Sequence, residues 1–271
     1  MKNIAKLIDA NTIHVFNKTQ FDVDAIMHSG QVFRYFPIDG GYRVIVGNNV
    51  ADITGTLIKC SDAKYFWNYF DLDTDYDEIK EQLSKYKSIK KILVESNAGG
   101  IRILRGEFIE TVISFIISAN NNIKRFTKTL NQLCQQYGTN NAFPTLEQLS
   151  VINEEDFKRL GCGYRSGYLI KAVRQLKDIN IEKLSKLNNA DLIKQLRTIQ
   201  GVGEKVAFCI ALFCGDFHRL DIAPRDTWIK KALEQLPEPD REVLTNHKYA
   251  GVAQQYIFYY LQYLRRSVTN Q

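Results

Sequence analysis

"IQGVGEKVAFCIALF" (residues 199–213) places two glycines around a valine, then a glutamate and a lysine, and then an apolar helical pattern. A helix over about 189–199 leads into the glycines and a second over 203–213 leads out. Glycine permits the positive φ and the close backbone approach that so short a turn needs. The opening N–H groups of the second helix have no acceptor within that helix, so the corner can hold a phosphate. A helix–hairpin–helix of this kind suits sequence-independent gripping of a DNA backbone through Gly201 and Gly203. The same turn also serves as a plain helical corner.

Lys205 gives the turn a second meaning. It stands in the first turn of the second helix, where the helix field opposes an ammonium group, and a desolvated pocket would lower its pKa further. A neutral lysine amine attacks electrophilic carbon and forms a Schiff base. Cys209 lies one helical turn on and shares the lysine's face. On this segment alone, Lys205 reads as a solvated surface lysine and Cys209 as a small core residue. Downstream, "DIAPRDTWIKKAL" (221–233) sets Asp226 after Pro224 and before a helical pattern. That is an N-cap position, where a carboxylate accepts backbone N–H bonds and stays ionised. Facing Lys205, such a carboxylate can stabilise the positive charge that develops on a sugar ring as a glycosidic bond breaks.

Working outward, the first hundred residues read differently from the rest. "YRVIVGNNVADITGTLIKC" (42–60) alternates with period two between glycine-containing turns, and "NTIHVFN" (11–17) and "QVFRYFPI" (31–38) look like further strands. Helical spacing takes over from "DAKYFWNYF" (62–70), and "YDEIKEQLSKYKSI" (76–89) reads as one amphipathic helix. Beyond "SNAGG" (96–100) the chain is almost wholly helical. The expected architecture is an α+β antiparallel-sheet lobe over 1–97 followed by an all-α helix–hairpin–helix region over 98–271.

Composition narrows the class. The 271 residues are 45% hydrophobic and 24% charged, and 36 Lys and Arg against 30 Asp and Glu give a net charge of +6. That excess is compatible with a polyanionic partner without naming one; most of the basic side chains read as solvated surface. Cysteines at 60, 134, 162, 209 and 214 are odd in number, form no C-x-x-C and have no histidine at ligand spacing. The pattern argues against a zinc site and a disulfide framework, and fits a reducing compartment. "FIETVISFIIS" (108–118) is too short to span a bilayer, and "MKNIAKLIDANTIHVF" (1–16) has no apolar leader. The expectation is a protein without an export signal, cytoplasmic and nucleoid-associated in a bacterium or archaeon and nuclear in a eukaryote.

Six segments, in order, resemble the 8-oxoguanine DNA glycosylases of the helix–hairpin–helix (HhH-GPD) superfamily, of the kind also found in eukaryotes. They are "SGQVFRY" (29–35), "GIRILRGEFIETVISFIISANNNIKR" (100–125), "LGCGYRSGYL" (160–169), "GVGEKVAFCIALF" (201–213), "PRDTW" (224–228) and "YAGVAQQYIFYYLQ" (249–262). The resemblance implies a bifunctional glycosylase and abasic-site lyase of base excision repair, a monomer acting on double-stranded DNA that contains oxidised guanine. It implies that Lys205 attacks C1′ of an extruded nucleotide and that Asp226 is the catalytic carboxylate. It requires no cofactor and no metal.

For the flipped base, the resemblance places Cys209 and Phe258 as flat or polarisable walls and Gln254 at the polar edge. It places the Gly30 carbonyl against N7, which carries a hydrogen in 8-oxoguanine and none in guanine. A carbonyl aimed there pairs with the lesion and faces an acceptor in the normal base. Asn120, Arg125 and Arg165 have the groups to read a cytosine left unpaired, and Tyr164 is an aromatic wedge for the gap. On residues alone, Gly30 is a turn glycine and "NNN" a helix–helix connection. Two departures stand out: Trp228 occupies a position where many relatives have histidine, and "GDFHRLDIA" (215–223) lengthens the interval from lysine to aspartate. No cysteine follows Cys214, which removes the ligands of an iron–sulfur cluster and with them the iron–sulfur branch of the superfamily. A helix–hairpin–helix glycosylase for another damaged base, or a non-catalytic DNA-binding module, are the alternatives.

Overall fold

Period-two alternation becomes six strands, β1 (Ala5–Asp9), β2 (Thr12–Val15), β3 (Tyr35–Ile38), β4 (Gly41–Val46), β5 (Asn49–Thr54) and β6 (Leu57–Cys60). The structure is a computed structural model that describes residues 4–17, 19–225, 227–234 and 237–269. The strands form one sheet in the order β1-β2-β6-β5-β4-β3, and the pairings whose register is described are antiparallel. Ile58 lies opposite Ile13 on one side and Ile53 on the other, and all three are buried. Residues that alternate with this row point outward: Arg43 holds Asp52 of the neighbouring strand by two hydrogen bonds of 2.7 Å. Strand β1 has no counterpart in the sequence reading. It is an edge strand with only Ala5 buried, so it carries no alternation to detect.

Helices α1 (Val23–Met27), α2 (Ala63–Tyr69), α3 (Tyr76–Leu83) and α4 (Lys87–Ser96) accompany the sheet. The expected single helix over 76–89 is thus broken at residues 84–86. Leu83 and Ile89 are both buried, yet six residues on a continuous helix would turn them about 120° apart. Breaking the helix lets both face inward.

The remaining helices are α5 (Phe108–Ser118), α6 (Ile123–Tyr137), α7 (Leu146–Ser150), α8 (Glu154–Arg159), α9 (Arg165–Leu176), α10 (Ile181–Ser185), α11 (Asn189–Leu196), α12 (Glu204–Phe213), α13 (Thr227–Glu234), α14 (Glu238–Arg241), α15 (Val243–Asn246) and α16 (Ala250–Thr269). Two compact units result, and neither is a continuous stretch. One comprises 1–44, 51–105 and 219–271; the other comprises 45–50 and 106–218. In the first, α16 packs against α4, α13 and α15. In the second, α5 is the central helix, packed against α6, α9 and α12. Its sequence is apolar on nearly every side because nearly every side is covered. Among the described residues no helix is long and apolar enough to cross a membrane.

Candidate active site

The turn between α11 and α12 is built as its glycines require. Gly201 has φ +86°, and a β-carbon there would lie 3.1 Å from both Ile116 Cγ2 and Tyr168 Cβ. The Val202 N–H donates to the Ile199 carbonyl at 3.0 Å and closes the turn. Gly203 has a different reason to lack a side chain. It is the extended N-cap of α12, with no capping side chain, and a β-carbon there would meet nothing within 4 Å. The first N–H groups of α12 therefore open onto a bare backbone surface, the geometry that receives an anion.

Lys205 is the second residue of α12 and is half-buried. Its Nζ lies 5.7 Å from the centroid of the Phe115 ring, which stacks on Phe213. The amine thus has an aromatic wall on one side, within the range at which a ring face and a lysine head group interact. Cys209, one turn further, is 2% exposed. Asp226 lies outside the described residues, as does the side chain of Trp228; α13 begins at Thr227. Just before it, Arg225 donates to the Leu244 carbonyl at 3.0 Å.

Arg165, Asn120 and Tyr164 come together. "NNN" is the connection between α5 and α6, with Asn120 exposed at φ +50° and Asn122 capping α6 by accepting the Arg125 N–H at 2.8 Å. Arg165 is 5% exposed. Its guanidinium donates to the carbonyls of Ala119 (2.7 Å from Nε, with Nη2 also bound), Asn120 (2.9 Å) and Cys162 (3.4 Å). The ring of Tyr164 covers it at 4.4 Å and is itself 60% exposed. Arg125 is exposed and lies in the first turn of α6.

A third group joins Gly30 to α16. Gly30 has φ +79°, and a β-carbon on it would fall 2.6 Å from Phe258 Cε1. The ring fits only against a bare backbone. Gln254, one turn before Phe258, is buried, and its Oε1 accepts from Gln255 Nε2 at 3.0 Å. Sequence reasoning gave no role to Gln31, whose side chain is engaged by three hydrogen bonds beside Gly30. Its place in the "SGQVFRY" motif was the available signal. The five cysteines form no disulfide. Among the described residues no three His, Cys, Asp or Glu side chains group where they could hold a metal ion.

Known families match both parts of the chain. Residues 13–112 match the family described as 8-oxoguanine DNA glycosylase, N-terminal domain, and residues 113–245 match the HhH-GPD superfamily base excision DNA repair protein. The N-glycosylase/DNA lyase of Arabidopsis thaliana is 32% identical over 179 residues, and that of Saccharomyces cerevisiae 31% over 189 residues. The alignments take in 60% and 62% of this chain and 49% of each relative, so the chain spans about half the length of these two proteins. The crystal structure of Clostridium acetobutylicum 8-oxoguanine glycosylase/lyase, in complex with double-stranded DNA containing cytosine opposite 8-oxoguanine, superposes with a TM-score of 0.85 at 31% identity. It covers 97% of this chain and 99% of that one. The two domain matches and this end-to-end likeness place the chain in the 8-oxoguanine DNA glycosylase family of the HhH-GPD superfamily.

Proposed function

We propose that this chain is a bifunctional DNA glycosylase and abasic-site lyase that excises 8-oxoguanine from double-stranded DNA, preferentially opposite cytosine, and works as a monomer without a cofactor. The observation that carries the reading is Lys205 on the first turn of α12, directly after the Gly201–Gly203 hairpin, in a chain that matches a glycosylase/lyase from end to end. The hairpin glycines take a DNA phosphate. The neutral Lys205 amine attacks C1′ of the extruded nucleotide, the C1′–N9 bond breaks, and the base leaves with its electron pair and takes up a proton. Asp226, as a carboxylate, stabilises the positive charge that builds on the sugar. Ring opening gives a Schiff base between Nζ and C1′. That iminium acidifies the C2′ proton, whose removal expels the 3′ phosphate by β-elimination. Amine and carboxylate supply all the polar chemistry, so no metal ion is needed.

The Gly30 carbonyl accepts the N7 hydrogen of the lesion, Phe258 stacks on its ring and Gln254 meets its polar edge; Cys209 supplies a polarisable surface to the same base. Asn120, Arg125 and Arg165 read the cytosine, and Tyr164 fills the gap in the duplex. Donors on Asn120, Arg125 and Arg165 match the acceptors of a cytosine edge, which supports the opposite-base preference. The test is borohydride trapping on a duplex with 8-oxoguanine opposite cytosine, native protein beside Lys205→Gln. A reduced covalent adduct from the native protein, absent in the variant, is expected. An adduct that persists in the variant assigns the chemistry to another amine. DNA binding without any adduct favours a binding module.

A further inference from the structure

At residue 30 the property that permits the backbone also leaves it loose. A φ of +79° costs glycine nothing, and without a β-carbon the Gly30–Gln31 peptide is free to turn over. A turned peptide would present the Gln31 N–H where the Gly30 carbonyl had been. Guanine offers an acceptor at N7 and 8-oxoguanine a donor, so the turned peptide would suit the undamaged base. Something other than Gly30 must hold the plane.

The side chains on either side are tied down. Ser29 is fully buried, and its hydroxyl donates to the Ile26 carbonyl at 2.7 Å. Gln31 is 8% exposed; its Nε2 donates to that hydroxyl oxygen and to the Arg102 carbonyl, both at 2.8 Å. Its Oε1 accepts the Leu104 N–H at 2.8 Å. Oxygen and nitrogen cannot be exchanged in this amide without setting donors against donors. Gln31 is thereby tied at two points to the 102–104 segment.

That segment is itself anchored. Ile101, Ile103 and Leu104 are buried, and the Ile103 N–H donates to the Tyr76 hydroxyl at 2.8 Å. Arg102 donates to the carbonyls of Phe70 (3.0 Å), Gln20 (3.2 Å), Thr74 (2.7 Å) and Asp71. On the other side, Phe258 closes over Gly30. The glycine is held between a ring and a clamp.

We propose that Gln31 is a positioning residue that fixes the direction of the Gly30 carbonyl, and through it the choice of 8-oxoguanine over guanine. The inference rests on the function proposed above. It predicts a division between two reactions of one enzyme. Base release uses the Gly30 carbonyl, whereas strand cleavage at an abasic site has no base to recognise and uses only the lysine and the DNA grip.

Single-turnover rates separate them: release of 8-oxoguanine opposite cytosine, and cleavage at a preformed abasic site in the same duplex, for the native protein, Gln31→Leu and Gln31→Glu. Gln31→Leu should lose about 10- to 100-fold in base release, the usual scale when a specificity hydrogen bond is misdirected, with abasic cleavage within about twofold. Its preference for binding lesion duplex over undamaged duplex should fall with base release. Gln31→Glu keeps the acceptor for Leu104 and loses both donors, so it should lie between. A parallel loss in the two reactions would reduce Gln31 to scaffold, and unchanged base release would also overturn the proposal. Should Gln31→Leu not fold, Gln31→Glu decides by the same rates. A native protein that cleaves abasic DNA but releases no 8-oxoguanine would overturn the lesion assignment, and the inference with it.

Discussion

Arg102 and Arg165 do the same thing in two different places. Each is buried, each aims its guanidinium at backbone carbonyls, and each lies over a tyrosine ring, Tyr76 at 4.1 Å and Tyr164 at 4.4 Å. The settings differ. Arg102 is 0% exposed and spends its donors on four carbonyls in the first unit, under a tyrosine that is itself fully buried. Arg165, in the second unit, holds three carbonyls beneath a tyrosine that is 60% exposed, beside the exposed Asn120. Burial lowers the pKa of Arg102, opposed by Tyr76 and Asp71. A guanidinium sealed this way is framework. One roofed by a single exposed ring is within reach of a ligand that displaces the ring, as the proposed reading of cytosine requires.

Breaking the first arginine should have the larger effect. Arg102→Met takes a donor from four carbonyls, of which Asp71 keeps the Thr74 N–H and Thr74 is part-buried; each group left orphaned costs on the order of 1–3 kcal/mol, less what the lost desolvation of the cation returns. A net loss of about 3–5 kcal/mol on urea unfolding is expected. Arg165→Met should cost less, about 1–2 kcal/mol, because the Asn120 carbonyl it frees lies on an exposed residue that water can serve. Its larger effect should be functional: 8-oxoguanine excision opposite cytosine falls toward the rate opposite other bases. Equal stability losses would remove the distinction between the two arginines, and an Arg165 variant with undiminished cytosine preference would remove the proposed role.

The sequence made the second region more legible than the first. Local chemistry wrote the hairpin: Gly201, Gly203 and Lys205 lie within five residues, and Asn122 caps the helix it precedes. In the first, the alternation in 42–60 set out β4 to β6, whose buried rows need period two. Edge strand β1 carried no such row, and the break at 84–86 hid inside a charge-rich stretch that fits a helix on either side. Arg102 was the harder case. A lysine- and arginine-rich chain reads as a solvated surface, and nothing in "GIRILRG" says that one guanidinium turns inward to carbonyls 32 and 82 residues away. Long-range satisfaction of backbone groups has no local signature. The same holds for Gln31, whose partners lie on the 102–104 segment.

Alkali sharpens the comparison with the smallest effect, because each arginine stands beside a buried neutral acid. Burial raises the Tyr76 hydroxyl well above its usual range, with Asp71 adding to the rise and Arg102 opposing it. Burial pushes the Cys162 thiol up to about 12, with Arg165 opposing. In both, the folded pKa exceeds the unfolded one, so the stability contributed is fully present below the unfolded pKa and is lost as pH rises toward the folded value. The thiol ionises first in the unfolded chain, near 9, and the phenol near 10. Between pH 8 and 10, then, Cys162 should contribute a loss of about 1 kcal/mol, with Tyr76 contributing little until pH passes 10. Cys162→Ala should flatten the unfolding free energy over that interval by this amount whatever its effect at pH 8. Cys214, also raised by burial, leaves a residual slope in the variant. An unchanged slope in Cys162→Ala would mean that the thiol is not held neutral beside Arg165, and that this region is more open to water than its buried arginine indicates.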